Sequence, residues 1–175
     1  MRMQLRRVRW IAVPVALAAL AAFGWTLGLP RGASGSAPED DPALERTRSQ
    51  AKMLDDLLKV ALVDITNRYD GPPAAKLAKA KFAAAQEKEY FEAKLLDATG
   101  APQNEANVPQ DDFERRAAKA MTEGRTYLEE VVGKAETRRL RVATVVPAVV
   151  QKCAKCHGVK QGDLLGLLSY DLPVR

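Results

Sequence analysis

The segment Cys153-Ala154-Lys155-Cys156-His157 holds the only two cysteines and the only histidine of the chain. Any fold open to this sequence must therefore set two thiols and one imidazole on a single short stretch of backbone. C-x-x-C-H is the attachment signature of c-type haem. Each thiol adds across one haem vinyl group to form a thioether. The two-residue spacer on a helical turn sets both sulfurs against one porphyrin edge, and the adjacent imidazole ligates the iron. Rival readings run short of parts. A structural zinc site takes four ligands, one more than this segment supplies, whereas a catalytic zinc with three ligands and an open position stays possible. A thioredoxin-like redox pair belongs in a βαβ context that the sequence lacks. A disulfide across two residues would leave His157 without a role. The segment reads as the site of one covalent haem c, attached at Cys153 and Cys156, with His157 as proximal iron ligand.

Covalent haem of this kind is attached outside the bacterial cytoplasm, so an export signal is expected. Residues 1–9 carry Arg2, Arg6, Arg7 and Arg9 with no acid, Trp10 to Leu29 has no charged residue, and Arg31 closes the run. A bilayer-spanning helix takes about 20 apolar residues, and the arginine excess keeps the N-terminus cytoplasmic. The favoured reading is an uncleaved transmembrane anchor. A cleaved signal peptide is the alternative, since residues 32–37 (Gly-Ala-Ser-Gly-Ser-Ala) offer small residues for cleavage. Pro38 sits poorly just after such a cut, and the apolar run is long for a signal sequence. Both readings place residues 32–175 on the periplasmic side.

The formal net charge of +5 comes from 27 basic and 22 acidic side chains. Arginines 2, 6, 7, 9 and 31 account for the whole excess, leaving 22 basic against 22 acidic residues. The basicity is a topology signal, and a nucleic-acid partner is not implied.

The organisation expected is an anchor over 1–31, a Gly/Ser/Pro/acidic linker over 32–41, and one haem-binding domain over 42–175. Asp41 caps and Pro42 opens a first helix whose Leu54, Leu57, Leu58, Ala61 and Ile65 recur with helical period. Asp70-Gly71-Pro72-Pro73 breaks it. A second, Ala/Lys-rich helix runs from Ala74 to about Lys88. Tyr90–Ala98 reads equally as helix or strand, and Asp97–Pro109 as loop. A third helix begins at Asp111, where Asp-Asp-Phe-Glu resembles a capping box, and ends at Gly124. The period then changes. Thr126–Val132 and Thr137–Val146 are rich in β-branched residues, and Leu140, Val142 and Val146 alternate with Arg139 and Arg141, which predicts a hairpin. Pro147 opens a short helix on which Val149, Cys153 and Cys156 share an inward face. A strand around Leu165–Leu172 completes an α+β class, with the helices on one side of a small antiparallel sheet.

The back half resembles the periplasmic PAS-like c-type haem domain family, small monohaem sensor-type domains found alone or ahead of histidine kinases and chemoreceptors. The likeness rests on Asn104-Glu105-Ala106-Asn107-Val108-Pro109 followed by Asp112-Phe113-Glu114, and on Leu140–Pro147 leading through a proline to the haem motif. It continues in Gly158, Gly162-Asp163 and Gly166-Leu167-Leu168-Ser169-Tyr170, so that it covers roughly 104–173 and, more weakly, 54–79. The resemblance implies a PAS-like fold and one haem. It also implies a distal cysteine shortly after a Gly-Pro element. Gly71-Pro72 is present, but the matching position falls near Lys79, and both cysteines are committed to the motif. With a single histidine, a bis-His haem within one chain is excluded. The candidate distal ligands are Lys79, Met53 and Met121, besides Tyr127, water or nothing. Against these stand a solvated lysine and core-packing methionines. Asp163 reads as a turn residue.

Three function classes follow. A redox or small-ligand sensor without turnover is the first. An electron-transfer cytochrome is the second; its strongest form here is a four-helix c-type cytochrome, whose haem motif is C-terminal, and the β-rich stretch 125–146 argues against it. A haem peroxidase is the third, but it wants distal acid–base groups and a second histidine, and Glu129 and Glu130 read as a strand's exposed face. The expectation is a non-enzymatic, membrane-anchored protein that passes its output to a redox or signalling partner protein.

Overall fold

Helix α1, Pro42–Arg68, starts where the sequence placed its cap. Asp41 Oδ1 accepts the amides of Ala43 and Leu44 at 3.1 Å each, and Pro42 fills a position whose amide would have no helical partner. Leu44, Thr47 and Ala51 are buried, and Leu54, Leu58 and Leu62 extend the same stripe, the spacing of a helix packed along one face. The computed structural model describes residues 41–68, 74–102 and 104–175. The apolar run Trp10–Leu29 and the Gly71-Pro72 pair lie outside the described residues. Among the described residues no helix is long and apolar enough to cross a membrane.

Helix α2 is Ala74–Gln86, with Ala78 and Phe82 buried. After a turn in which Glu89 takes φ +56°, the ambiguous segment resolves into strand β1, Glu92–Asp97. A 3-10 turn at Glu105–Asn107 is capped by the Asn104 side chain. Helix α3, Asp112–Thr122, follows, with Asp111 Oδ1 accepting the Glu114 amide at 2.9 Å. The reciprocal half of the capping box is displaced by one residue: Glu114 Oε2 accepts the amide of Gln110 at 2.7 Å. Strands β2 (Tyr127–Val132), β3 (Arg139–Pro147) and β4 (Leu164–Pro173) complete the chain, with helix α4, Gln151–His157, between the last two.

The sheet is antiparallel in the order β1-β4-β3-β2. Successive strand residues face opposite sides, and here both sides are covered. Leu140 and Val142 of β3 with Leu168, Tyr170 and Leu172 of β4 pack against α1 and α2. Ala143 and Leu167 face Phe113, Ala117 and Met121 of α3. This corrects the expectation of helices on one side. The central strands β3 and β4 are buried on both faces, and strands apolar on both faces need two covers. The four-helix cytochrome alternative also falls, because the residues from 127 to 173 build a sheet. Glu129 and Glu130 do not share an exposed face: Glu129 accepts from Arg48 of α1 at 2.9 Å, and Glu130 pairs with Arg116 of α3.

Glu114 is the polar anchor of the α3 side. Its side chain is 0% exposed and accepts Lys94 Nζ of β1 at 2.8 Å, with Arg141 of β3 at 4.0 Å. Arg141 in turn lies over the Phe113 ring, 4.5 Å from its centroid, and pairs with Asp111 at 2.7 Å. Glu114→Ala is expected to lower unfolding stability by about 3 kcal/mol, because it strips the lysine, the arginine and the Gln110 amide of one shared acceptor. Urea titration of both proteins measures the difference.

Candidate functional site

The haem-type motif sits on the connection between the two central strands. The β3–β4 pairing shifts register between Val146 and Pro147 and ends at Pro147↔Leu164. Beyond it the Ala148 amide donates to Asp163 O at 2.8 Å and the Gly162 amide to Ala148 O at 3.0 Å. These bonds close the neck of the loop 148–163. Asp163 takes the turn role, its Oδ2 accepting the Lys160 amide at 2.8 Å. Pro147 therefore still belongs to the strand, and α4 starts four residues later than expected, with Val149 ahead of it.

On α4, Cys153, Cys156 and His157 stand at i, i+3 and i+4 and so share one arc. Ala154 is the buried residue of the helix; Cys153 is half-buried, and Cys156 and His157 are exposed. The thiols thus line the open side rather than the interior, because the small Ala154 is what meets the core. Gly158 ends the helix in the left-handed region at φ +67°, its amide returning to Ala154 O, a conformation that a residue with Cβ adopts only at a cost. Neither cysteine is in a disulfide. Among the described residues no three His, Cys, Asp or Glu side chains group as a metal site, so the two thiols and the imidazole are not gathered as zinc ligands would be.

Helix α4 lies against α1. Lys59, Val60, Val63, Asp64 and Asn67 of α1 and Val149, just ahead of α4, line a groove of about 410 Å³ that none of the motif residues enters. Val149 is 49% exposed and Val60 69%. Met53 and Leu57, each 66% exposed, continue the Val60 stripe along α1 at i, i+4, i+7 spacing. Helix α1 is therefore apolar on two faces, of which the sheet covers one. Exposed contiguous apolar surface marks a place where something binds. Two thiols a turn apart and an imidazole on the next residue, all on the outer arc of α4, fit a haem.

The distal candidates are scattered. Met121 is 3% exposed in the α3-side core, the packing role. Met53 is exposed on α1, contrary to the packing role set against it. Lys79 of α2 donates from Nζ to Asn107 Oδ1 and, at 3.4 Å, to Ala106 O. Tyr127 opens β2 and its hydroxyl donates to Glu129. No donor among these is held in the groove itself.

Sequence reasoning missed a second cluster. Asp55 Oδ1 accepts the hydroxyls of Thr144 at 2.5 Å and Tyr170 at 3.0 Å, and Asp55 Oδ2 accepts Lys59 Nζ at 2.9 Å. Burial, and then the Asp55 carboxylate, push the Tyr170 phenol well above its ordinary pKa, so it stays a neutral donor. The i, i+4 Asp55/Lys59 pair was visible in the sequence. Its hydroxyl partners, 89 and 115 residues away, were not. Above this cluster a second cavity of about 490 Å³ opens between α1 and β3.

An α+β domain with both sheet faces helix-covered and a C-x-x-C-H helix between its central strands defines a narrow class. The chain belongs to the Tll0287-like family, whose model matches residues 39–169. This is the PAS-like c-type haem domain family that the motifs over 104–173 resemble. Among solved structures, the crystal structure of Tll0287, a cyanobacterial haem protein, superposes with a TM-score of 0.58 at 10% identity, over 77% of this chain and 97% of that one. At that identity the likeness concerns the fold. No curated protein sequence matches the chain.

Proposed function

We propose that this chain is a periplasmic monohaem c-type cytochrome domain. It holds haem c at Cys153 and Cys156, and it works without turnover in redox or small-ligand sensing, one-electron transfer, or both. One observation carries the reading: Cys153, Cys156 and His157 share one arc of α4, half-buried to exposed, while Ala154 faces the core. The haem named for Tll0287, which shares the fold, supports it. Each thiol's S–H adds across a vinyl C=C, sulfur to one carbon and hydrogen to the other, so no oxidant is needed. A bound haem supplies reversible one-electron chemistry at iron. The chain's own residues do the rest. Cys153 and Cys156 fix the ring edge, and His157 follows them at the helix end as proximal ligand.

The same reading takes Trp10–Leu29 as the membrane anchor and a redox or signalling protein as the partner. The protein is not read as an enzyme. Its one histidine is committed to the motif, which leaves no second imidazole for distal acid–base work.

The distal position decides between an open sensor-like haem and a closed carrier. Lys79 would have to lose its proton and its two oxygen acceptors before ligating. Met121 would have to leave a packed core, a change of the kind that costs about 2–5 kcal/mol. Met53 escapes both costs but lies seven residues, roughly 10 Å of helix, before Val60. An empty or water-filled position needs none of these changes.

Three outcomes are expected. The purified protein keeps its haem through acid–acetone treatment, and the double variant Cys153→Ala/Cys156→Ala does not; free haem extracted from the wild type would overturn the attachment. Fractionation places the protein with membranes, and mass spectrometry finds an intact N-terminus rather than one beginning near Pro38. The ferrous protein binds carbon monoxide with a clear Soret shift; a low-spin spectrum unmoved by the gas marks a closed site, and Lys79→Ala, Met53→Ala and Met121→Ala then identify what closes it.

A further inference from the structure

The second cavity, about 490 Å³ between α1, β3 and the start of β2, has no part in haem attachment. Ala51 and Val142 in its lining are 2% and 1% exposed and offer an occupant almost no surface, so its accessible apolar wall is the Tyr127 ring, 43% exposed. Thr144, 6% exposed, supplies a hydroxyl there. Arg48, Lys52 and Lys59 of α1 line it together with the Asp55 carboxylate. Arg48 is already held by Glu45 and Glu129, which leaves the two lysines to meet an anion.

The chemistry of the walls selects an occupant. Both Asp55 oxygens are engaged, one by two hydroxyls and the other by Lys59, so the one acid has little left to offer a cation. Lys59 has further N–H donors beyond the one given to Asp55, because an ammonium carries three. Lys52 holds only Asp56, in a pair whose side chains are 77% and 65% exposed, and such a pair yields readily to a competing anion. The exposed face of the Tyr127 ring is ill suited to a fully hydrated inorganic anion. An apolar body with one carboxylate satisfies both the walls and the lysines. The volume lies within the usual range for small-molecule sites.

We propose that this cavity binds a small organic carboxylate with an apolar or aromatic body. The body lies against the Tyr127 ring, and the carboxylate meets Lys52 and Lys59. The site stands independently of the haem reading, although Lys59 lines both the cavity and the groove beside α4. An occupant there would sit one side chain away from that groove.

Isothermal calorimetry on the full-length holoprotein tests it, with benzoate and 4-hydroxybenzoate as probes and 4-hydroxybenzamide as neutral counterpart. The expected result is saturable one-site binding of the carboxylates, with the amide about fivefold weaker or more, the scale of one exposed ion pair. Lys52→Gln weakens the carboxylates to a similar degree and leaves the amide unchanged. Ser49→Trp, which starts from an exposed residue of the lining, blocks both. Thermal melting of each variant checks that the fold is retained, and Lys52→Gln decides the matter if Ser49→Trp does not fold. No saturation by either carboxylate up to about 10 mM, well beyond the weakest useful affinity, overturns the proposal. So does equal binding of acid and amide, or binding that Lys52→Gln leaves untouched.

Discussion

The antiparallel ladder between β3 and β4 is the interaction on which the rest of the structure depends. It runs from Arg139↔Pro173 to Pro147↔Leu164 through strands whose side chains are buried toward α1 and α2 on one face and toward α3 on the other. Its far end is also the neck of the loop that carries α4. A helix as short as α4 is marginal on its own, because nucleation fixes several residues for few hydrogen bonds. It is held instead by Ala154 facing the core, by Gly158 turning the chain at its end, and by the Ala148–Asp163 and Ala148–Gly162 bonds at its base. The rigidity of the sheet is thus delivered to the two thiols and the imidazole through one pair of backbone contacts.

Helix α1 makes the second contribution. One face seals the sheet, and burial of Leu44, Ala51 and the leucines that follow is the larger energetic term, at about 25 cal/mol per Å² of apolar surface. The ion pairs that pin its first turns, Asp41 with Arg138 and Arg48 with Glu129, contribute less in free energy than in register. They fix how α1 lies along β2 and β3. Its C-terminal half can then overhang α4 and form the groove, while its middle forms the roof of the second cavity.

What could be read from the sequence follows the range of the forces involved. The helix starts at Asp41 and Asp111 were legible because a cap is a bond between near neighbours. Strands β2 and β3 were legible from β-branched runs and, in β3, alternation. Segment Tyr90–Ala98 was not, since Ala93, Leu95 and Leu96 suit either period until β4 pairs with them. The placing of α3 on the opposite face depends on Ala143 and Leu167 being buried against it, a long-range fact. For the same reason Met53 read as a core residue: methionine commonly fills apolar gaps, and only the tertiary arrangement shows that it belongs to the uncovered face. The motif residues were legible outright, while their exposure depended on Pro147 staying in the ladder.

The distal side shows where local chemistry and fold pull apart. The position where the resemblance implies a cysteine falls near Lys79, and the fold gives that lysine an occupation, Asn107 Oδ1 and Ala106 O of the 3-10 turn. A thiolate needs only a modest fall in pKa to serve as a ligand. An ammonium must first lose a proton, and Lys79 would also have to leave its two oxygen acceptors. Its contacts tie α2 to the turn ahead of α3. Of the candidates named, only Met53 combines exposure with a donor that needs no deprotonation, and it lies along α1 from the groove rather than in it. On that balance a haem held at Cys153 and Cys156 would keep one face open to exogenous ligands, as proposed.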